Sequence, residues 1–280
     1  MQLFYCYLIG LFGLLVGSFL NVVIVRLPKM LQNDWEQECK VILNRKPSPA
    51  AATFNLCFPR SQCCHCKTQL SWYDNIPLLS YLFLKGRSRC CKKAISWRYP
   101  LVELLSALVS FFVASCFIDS PQLIPVLILS LSLIVLSFID FEHSILPDCI
   151  TLPLLWLGLI LSAFNIIQTP ANAILGAAAG YLSLWSIYWI FKLITGKEGL
   201  GYGDFKLLAL FGAWLGFAAI PFILFVASIT GSIVGLTLIL GFNRPRSLPL
   251  AFGPYLVLGG WLALMFQPQN QFYQQLTFLW

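Results

Sequence analysis

Three aspartates at the edges of long uncharged runs have the clearest capacity for chemistry. Asp140 closes residues 120–139, which hold no Asp, Glu, Lys or Arg. Asp148 follows in Leu146-Pro147-Asp148, just ahead of the uncharged run 149–191, and Asp204 closes Gly201-Tyr202-Gly203-Asp204, just ahead of 207–243. Glu103 and Glu142 hold similar edge positions, whereas Asp119 and Glu198 fall in loops where solvated charge needs no explanation. A carboxylate at or within a bilayer is costly, so it marks function by default. Gly201 and Gly203 allow left-handed or tightly bent backbone and close approach of another chain. Asp204 then opens a helix, whose positive dipole end favours its charge. Two carboxylates at hydrogen-bonding distance cannot both ionise and hold one proton between them. One activates water as base while the other protonates the carbonyl or the leaving amine. The plain alternative for Asp148 and Asp204 is a helix cap. A common side and depth in the topology below favours Asp140 and Asp204 as the reacting pair.

Cysteine supplies a second candidate chemistry. Cys63-Cys64-His65-Cys66 and Cys90-Cys91 lie in one basic loop. Paired cysteines in a reducing compartment bind metal more often than they form disulfides, and Cys-x-x-Cys with a later Cys pair is a zinc-ribbon spacing. The first half is regular, Cys63 and Cys66. The second is not, because adjacent residues seldom both point at one tetrahedral ion. Cys90, Cys64, Cys57 and His65 all remain candidates beside Cys91, and free thiols are the alternative. Cys6, Cys116 and Cys149 read as small apolar side chains.

The elements that must position these groups follow from composition. Hydrophobic residues make up 59% of the 280 and charged residues 10%, against about 45–50% and 25% in soluble domains. That excludes disorder, a nucleic-acid module and a conventional soluble enzyme. With about 20 apolar residues needed per crossing, the pattern predicts an all-α polytopic membrane protein of eight spans: residues 2–25, 99–118, 121–139, 150–167, 172–194, 206–219, 221–241 and 250–267. Breaks are expected at Thr169-Pro170 and at Pro221. The first span reads as retained, because it lacks a basic start and a small-residue cleavage site. Of 18 Lys and Arg, 13 lie in residues 26–98, and the rest are Lys192, Lys197, Lys206, Arg244 and Arg246. Eight spans put all of them on one side, which is the cytoplasmic one, and both termini on the other. The expected organisation is a first span (1–25), a cytoplasmic cysteine-containing loop domain (26–98) against anionic lipid, a seven-helix membrane domain (99–267) and an extracytoplasmic tail (268–280).

Five linked stretches carry a family resemblance. Gly17-Ser18-Phe19-Leu20-Asn21-Val22-Val23-Ile24-Val25-Arg26-Leu27-Pro28 closes the first span, and Ser71-Trp72-Tyr73-Asp74-Asn75-Ile76-Pro77 follows the first cysteines. Ile95-Ser96-Trp97-Arg98-Tyr99-Pro100-Leu101-Val102-Glu103 enters the second span. With Asp140 to Asp148 and Gly201 to Asp204, these resemble the bacterial type IV prepilin peptidases. The resemblance implies an inner-membrane aspartic endopeptidase that cuts the basic leader of prepilins and type II secretion pseudopilins after glycine, and N-methylates the new terminus with S-adenosylmethionine. It places the catalytic pair at Asp140 and Asp204, matches Asp148 to a non-catalytic Leu-Pro-Asp, and associates residues 17–28 and the cysteine loop with methyl transfer. Its cysteine pattern would fall at 63, 66, 88 and 91. Here Ser88 replaces one cysteine and Cys90 is added, so the expected zinc set is Cys63, Cys66, Cys90 and Cys91. Glu103, Glu142 and Asp148 would offer counter-charge to the leader or partner Lys192, Lys197 and Lys206. An ion-coupled transporter and a membrane-anchored zinc or redox module are the rival readings.

Overall fold

The computed structural model describes residues 1–45, 54–63, 65–242 and 250–266. The expected tail 268–280, Arg244, Arg246 and Cys64 lie outside the described residues. The described chain is helical, apart from two isolated antiparallel bridges in the cysteine loop. It divides into two compact units, Met1–Ser115 and the chain from Cys116 onward.

In the first unit, α1 runs Gln2–Ile42 without a break, α2 is the short Leu79–Phe83, and α3 is Arg98–Phe117. The first helix was expected to end at residue 25. It continues through Pro28, because the stretch beyond is rich in strong helix formers (Lys29, Met30, Leu31, Gln32) and proline removes only a local hydrogen bond. The expected loop 26–98 therefore begins as helix.

The second unit contains α4 (Leu123–His143), α5 (Asp148–Ala163), α6 (Pro170–Thr195), α7 (Tyr202–Leu215), α8 (Ile220–Phe242) and α9 (Gly253–Met265). Proline starts α6, where its missing N–H costs nothing. The uncharged run 207–243 divides at Gly216, whose φ of +80° suits glycine, and not at Pro221, which lies inside α8. The short span expected at 206–219 is α7, and it starts four residues earlier because Gly201 caps it.

Among the described residues, five helices are long and apolar enough to cross a membrane: α1, α3, α4, α6 and the stretch Phe217–Gly241. The 16 residues of α5 and the 13 of α9 are apolar but short, about 24 Å and 20 Å at 1.5 Å per residue. The 14-residue α7 is the core of the second unit, with 11 residues buried. Its neighbours close on it through small residues. A Cβ on Gly180 of α6 would lie 2.6 Å from the Leu208 carbonyl oxygen, so glycine there lets two backbones meet. Trp214 Nε1 donates to the Leu154 carbonyl at 2.9 Å and fixes α5 against α7. A central helix held on all sides is a rigid mount for whatever its first turn carries.

Candidate active site and metal centre

Asp140 stands three residues before the end of α4, which stops at Ser144 in a left-handed conformation (φ +53°). That is the wrong end of a helix for an anion. The first turn of α9 supplies the compensation: the Gly253 N–H donates to Asp140 Oδ2 at 3.0 Å. A Cβ on Gly253 would lie 2.6 Å from that oxygen, so only glycine permits the approach.

Asp204 is the third residue of α7, and its Oδ2 accepts the Gly201 N–H at 3.3 Å. This is half of a capping box, since glycine has no side chain to complete it. Of the freedoms glycine offers, the left-handed one is not used at Gly201, which has φ −85°. The requirement for glycine falls on Gly203, where a Cβ would meet the Leu146 side chain at 2.8 Å.

The two carboxylates line one cavity of about 260 Å³, with Ser144, Leu146, Glu198 and Leu250 to Phe252 among its other walls. They are 5% and 7% exposed, so neither is a solvated cap. The arrangement puts two carboxyl groups at one opening of a helical core, where an entering polypeptide or water molecule meets both. Asp148 is exposed at the start of α5 and takes both its oxygens to Lys206 Nζ at 2.7 and 2.8 Å. Glu198 pairs with Lys192 at 2.8 Å, and this contact, with the Tyr188 hydroxyl, holds its carboxyl below the usual range. Glu142 is exposed.

Sequence reasoning missed Gly253, Ser144 and Leu250 to Phe252. A signal existed for the first, because Gly253-Pro254 before an apolar run marks a helix start, but nothing local says that its N–H meets Asp140.

In the first unit the Sγ atoms of Cys63, Cys66, Cys90 and Cys91 lie within 4.8 Å of one another. Two similar turns bring them there. In the first, Cys63 N–H donates to the Thr68 carbonyl and Lys67 N–H to the Cys63 carbonyl. In the second, Ser88 N–H donates to the Lys93 carbonyl and Lys92 N–H to the Ser88 carbonyl. Lys67 and Lys92 close them with φ of +59° and +54°. By turn position Ser88 corresponds to Cys63, and both are buried. The adjacent Cys90 and Cys91 nevertheless both reach the cluster, because a turn this tight brings its tip and its flank to one point. Backbone N–H groups of Cys66 and His65 lower the Cys63 thiol to about 6. The Thr68 hydroxyl lowers Cys66, and the hydrogen bond to Cys66 pushes Cys90 up to about 12. Thr68 Oγ1 is 3.2 Å from Cys66 Sγ and Ser88 Oγ 2.9 Å from Cys91 Sγ. Four thiols in this compass fit a tetrahedral soft cation. Cys57 is exposed and His65 Nε2 lies 3.3 Å from the Ala94 carbonyl; neither belongs to the cluster.

Taken together, apolar helices and a buried carboxylate pair in one cavity define a multi-pass membrane protein of the aspartate-pair class. The chain belongs to the type IV leader peptidase family. Residues 11–117 match the family described as the bacterial peptidase A24 N-terminal domain, and residues 127–236 match the type IV leader peptidase family. Proteins named prepilin leader peptidase/N-methyltransferase are similar over nearly the whole chain. That of Stutzerimonas stutzeri is 49% identical over 92% of this chain and 89% of its own. Those of Aeromonas salmonicida and Dichelobacter nodosus are 50% and 46% identical, over 93% and 94% of this chain and 90% and 92% of theirs. No solved structure matches.

Proposed function

We propose that the protein is a prepilin leader peptidase/N-methyltransferase that processes type IV prepilins, with hydrolysis at the cavity of Asp140 and Asp204. The observation that carries the assignment is the meeting of two nearly buried carboxylates, from helices 64 residues apart in sequence, at one opening. The ionised member of the pair takes a proton from a water molecule, which attacks the scissile carbonyl. The protonated member hydrogen-bonds the carbonyl oxygen and later gives a proton to the leaving amine. Gly253 N–H orients Asp140, and Gly201 N–H orients Asp204. The walls from Leu250 to Phe252 and Leu146 suit an extended, apolar polypeptide at the cut.

The same reading extends to secretion pseudopilins, to eight crossings of a bacterial inner membrane with both termini periplasmic, and to a cytoplasmic loop 26–98 lying on lipid. The eight apolar helices support it in order, and the concentration of cations in that loop supports the side. Cys63, Cys66, Cys90 and Cys91 would hold zinc, which would cross-link the loop. S-adenosylmethionine would supply the methyl group. The first unit, which contains neither aspartate, offers a buried carboxylate and an orphaned amide oxygen, Glu103 and Asn21, and these suit an amine-bearing or cationic reactant.

The test is the mass of a prepilin incubated with the purified protein. Asp140→Asn or Asp204→Asn should abolish cutting, by roughly 10²–10⁴-fold. Cutting at the normal rate by either variant refutes the assignment.

A further inference from the structure

In the first unit, α1 and α3 close on one another at Gly17, where a Cβ would lie 2.8 Å from Glu103 Cα. One turn along, Asn21 crosses the same seam. Its Nδ2 donates to the Gly17 carbonyl at 3.3 Å and to the Tyr99 carbonyl at 3.1 Å. Both partners are acceptors, so the amide orientation is fixed and Oδ1 cannot exchange places with Nδ2. Asn21 is 2% exposed, and its Oδ1 has no hydrogen-bond donor. A buried amide oxygen without a donor is destabilising, so its persistence asks for a reason.

Glu103 stands one turn beyond Tyr99 on α3 and is 8% exposed. It accepts the Leu78 N–H at 2.8 Å, and the Ser18 hydroxyl beside it donates to the Asn75 carbonyl at 3.3 Å. Among the described residues no cation pairs with it. A carboxylate offers about four lone-pair sites, so a single donor leaves it mostly unsatisfied. At this turn of the seam Asn21 Oδ1 and Glu103 are acceptors short of donors, and Ser18, Leu78 and Tyr99 beside them are partly exposed. Its complement is a group with several N–H donors and a proton to lose: a primary amine in its ammonium form.

We propose that Asn21 and Glu103 receive the amine that is methylated, an inference that rests on the peptidase/N-methyltransferase reading above. The new N-terminus of a cut polypeptide has an ordinary pKa of about 7.7–8.0, so in the cytoplasm it is mostly ammonium and has no free electron pair. Glu103 takes one of its protons while Asn21 Oδ1 accepts a remaining N–H and orients the nitrogen. The freed pair forms the N–C bond to the methyl of the sulfonium donor. The C–S bond breaks with its electrons left on sulfur, and Glu103 returns its proton to water. The product is a protonated secondary amine and a neutral thioether, so charge and atoms balance.

The full chain in detergent, given prepilin and S-adenosylmethionine, yields uncut, cut, and cut and methylated species that mass spectrometry separates. Glu103→Gln keeps the shape and should lower methylation about 100-fold while cutting continues. Its methylation should recover as pH rises toward the ordinary amine pKa of about 8, a dependence that a merely structural role does not create. Asn21→Leu should lower methylation without that recovery. Equilibrium dialysis of labelled S-adenosylmethionine separates the two possible amines. Unchanged binding to Glu103→Gln supports the polypeptide terminus, and lost binding overturns it in favour of the donor's own ammonium. Equal loss of cutting and methylation in both variants overturns the proposal as a packing effect. A wild-type chain that cuts without methylating overturns it alone, and one that does neither overturns the functional reading beneath it as well.

Discussion

The cysteine cluster and the aspartate cavity are built in opposite ways. Each pair of thiols is set by a turn of a few residues, closed by Lys67 or Lys92 at positive φ, and Cys66 and Cys90 remain exposed. The carboxylates come from α4 and α7, are braced by the first turns of α7 and α9, and are nearly withdrawn from water. A locally closed site has more than one ligand position within its turn: Ser88 holds the place that Cys63 has in the other turn, and Cys90 reaches the cluster beside Cys91. A site assembled by packed helices has no such freedom, since moving one carboxylate requires moving a helix. The aspartate cavity should therefore be intolerant of small changes, and the cysteine cluster should tolerate compensated ones.

The sharpest contrast is between Asp140→Asn and Cys90→Ser. The first should reduce prepilin cutting by roughly 10²–10⁴-fold and leave zinc content unchanged. The second should lower bound zinc, read by elemental analysis, and leave most cutting. Equal losses of cutting in both variants would erase the distinction between the regions.

Gly253→Ala tests the rigidity of the cavity without touching a carboxylate. Its Cβ would stand 2.6 Å from Asp140 Oδ2, and α9 is tied to α4 by the Trp261 to Ser130 hydrogen bond at 3.3 Å. The carboxylate must shift, and a displacement near 1 Å can cost about 100-fold. Cutting should fall by that order while thermal unfolding of the protein changes little. Retention of full rate would show that the cavity relaxes as readily as the turns do.

The cysteine loop should pass the complementary test. Ser88 occupies the turn position that Cys63 holds in the other half, and both are buried. Cys90→Ser should lose zinc, whereas Ser88→Cys combined with Cys90→Ser should regain it to within about tenfold in affinity, the scale of changes around an intact ligand set. Competition with a chelator measures both. Failure of the double variant to bind would mean that the second turn is built around Cys90 and not around the position of Ser88.

The same contrast explains how much was legible beforehand. Uncharged runs anticipated the order of the helices, five of which among the described residues are long and apolar enough to cross a membrane, because hydrocarbon tolerates few charges. They stopped short at α1, since apolarity reports the membrane edge and helix propensity beyond Pro28 carries the helix on to Ile42. Asp140 and Asp204 could be singled out by their edge positions, but their meeting depends on α7 being enclosed by α5, α6, α8 and α9, which no local pattern encodes. Gly253 was invisible for the same reason, its partner lying 113 residues away. The thiols showed the converse: spacing pointed to Cys63, Cys66 and Cys91 and left Cys90, Cys64, Cys57 and His65 open for the fourth place, because how tightly a turn closed by Lys92 curls is not written in the spacing.

The smallest expected effect belongs to Asp148, which the sequence placed near the reacting pair. The structure seats it outside the cavity lining, exposed, with Lys206 across from it at 2.7 and 2.8 Å. The pair joins the start of α5 to the first turns of α7, two residues after Asp204. Exposed ion pairs contribute about 0–1 kcal/mol, and α5 and α7 are already held by buried packing and by the Trp214 to Leu154 hydrogen bond. Asp148→Asn should therefore lower stability by less than about 1 kcal/mol and leave cutting within a fewfold of normal. Lys206→Met should behave alike, and the double variant should be no worse than the sum of the singles. If Asp148→Asn instead stopped cutting as completely as Asp140→Asn, the helix ends would be acting as one unit with the reacting acids. The boundary drawn here around the cavity would then have to include the exposed rim.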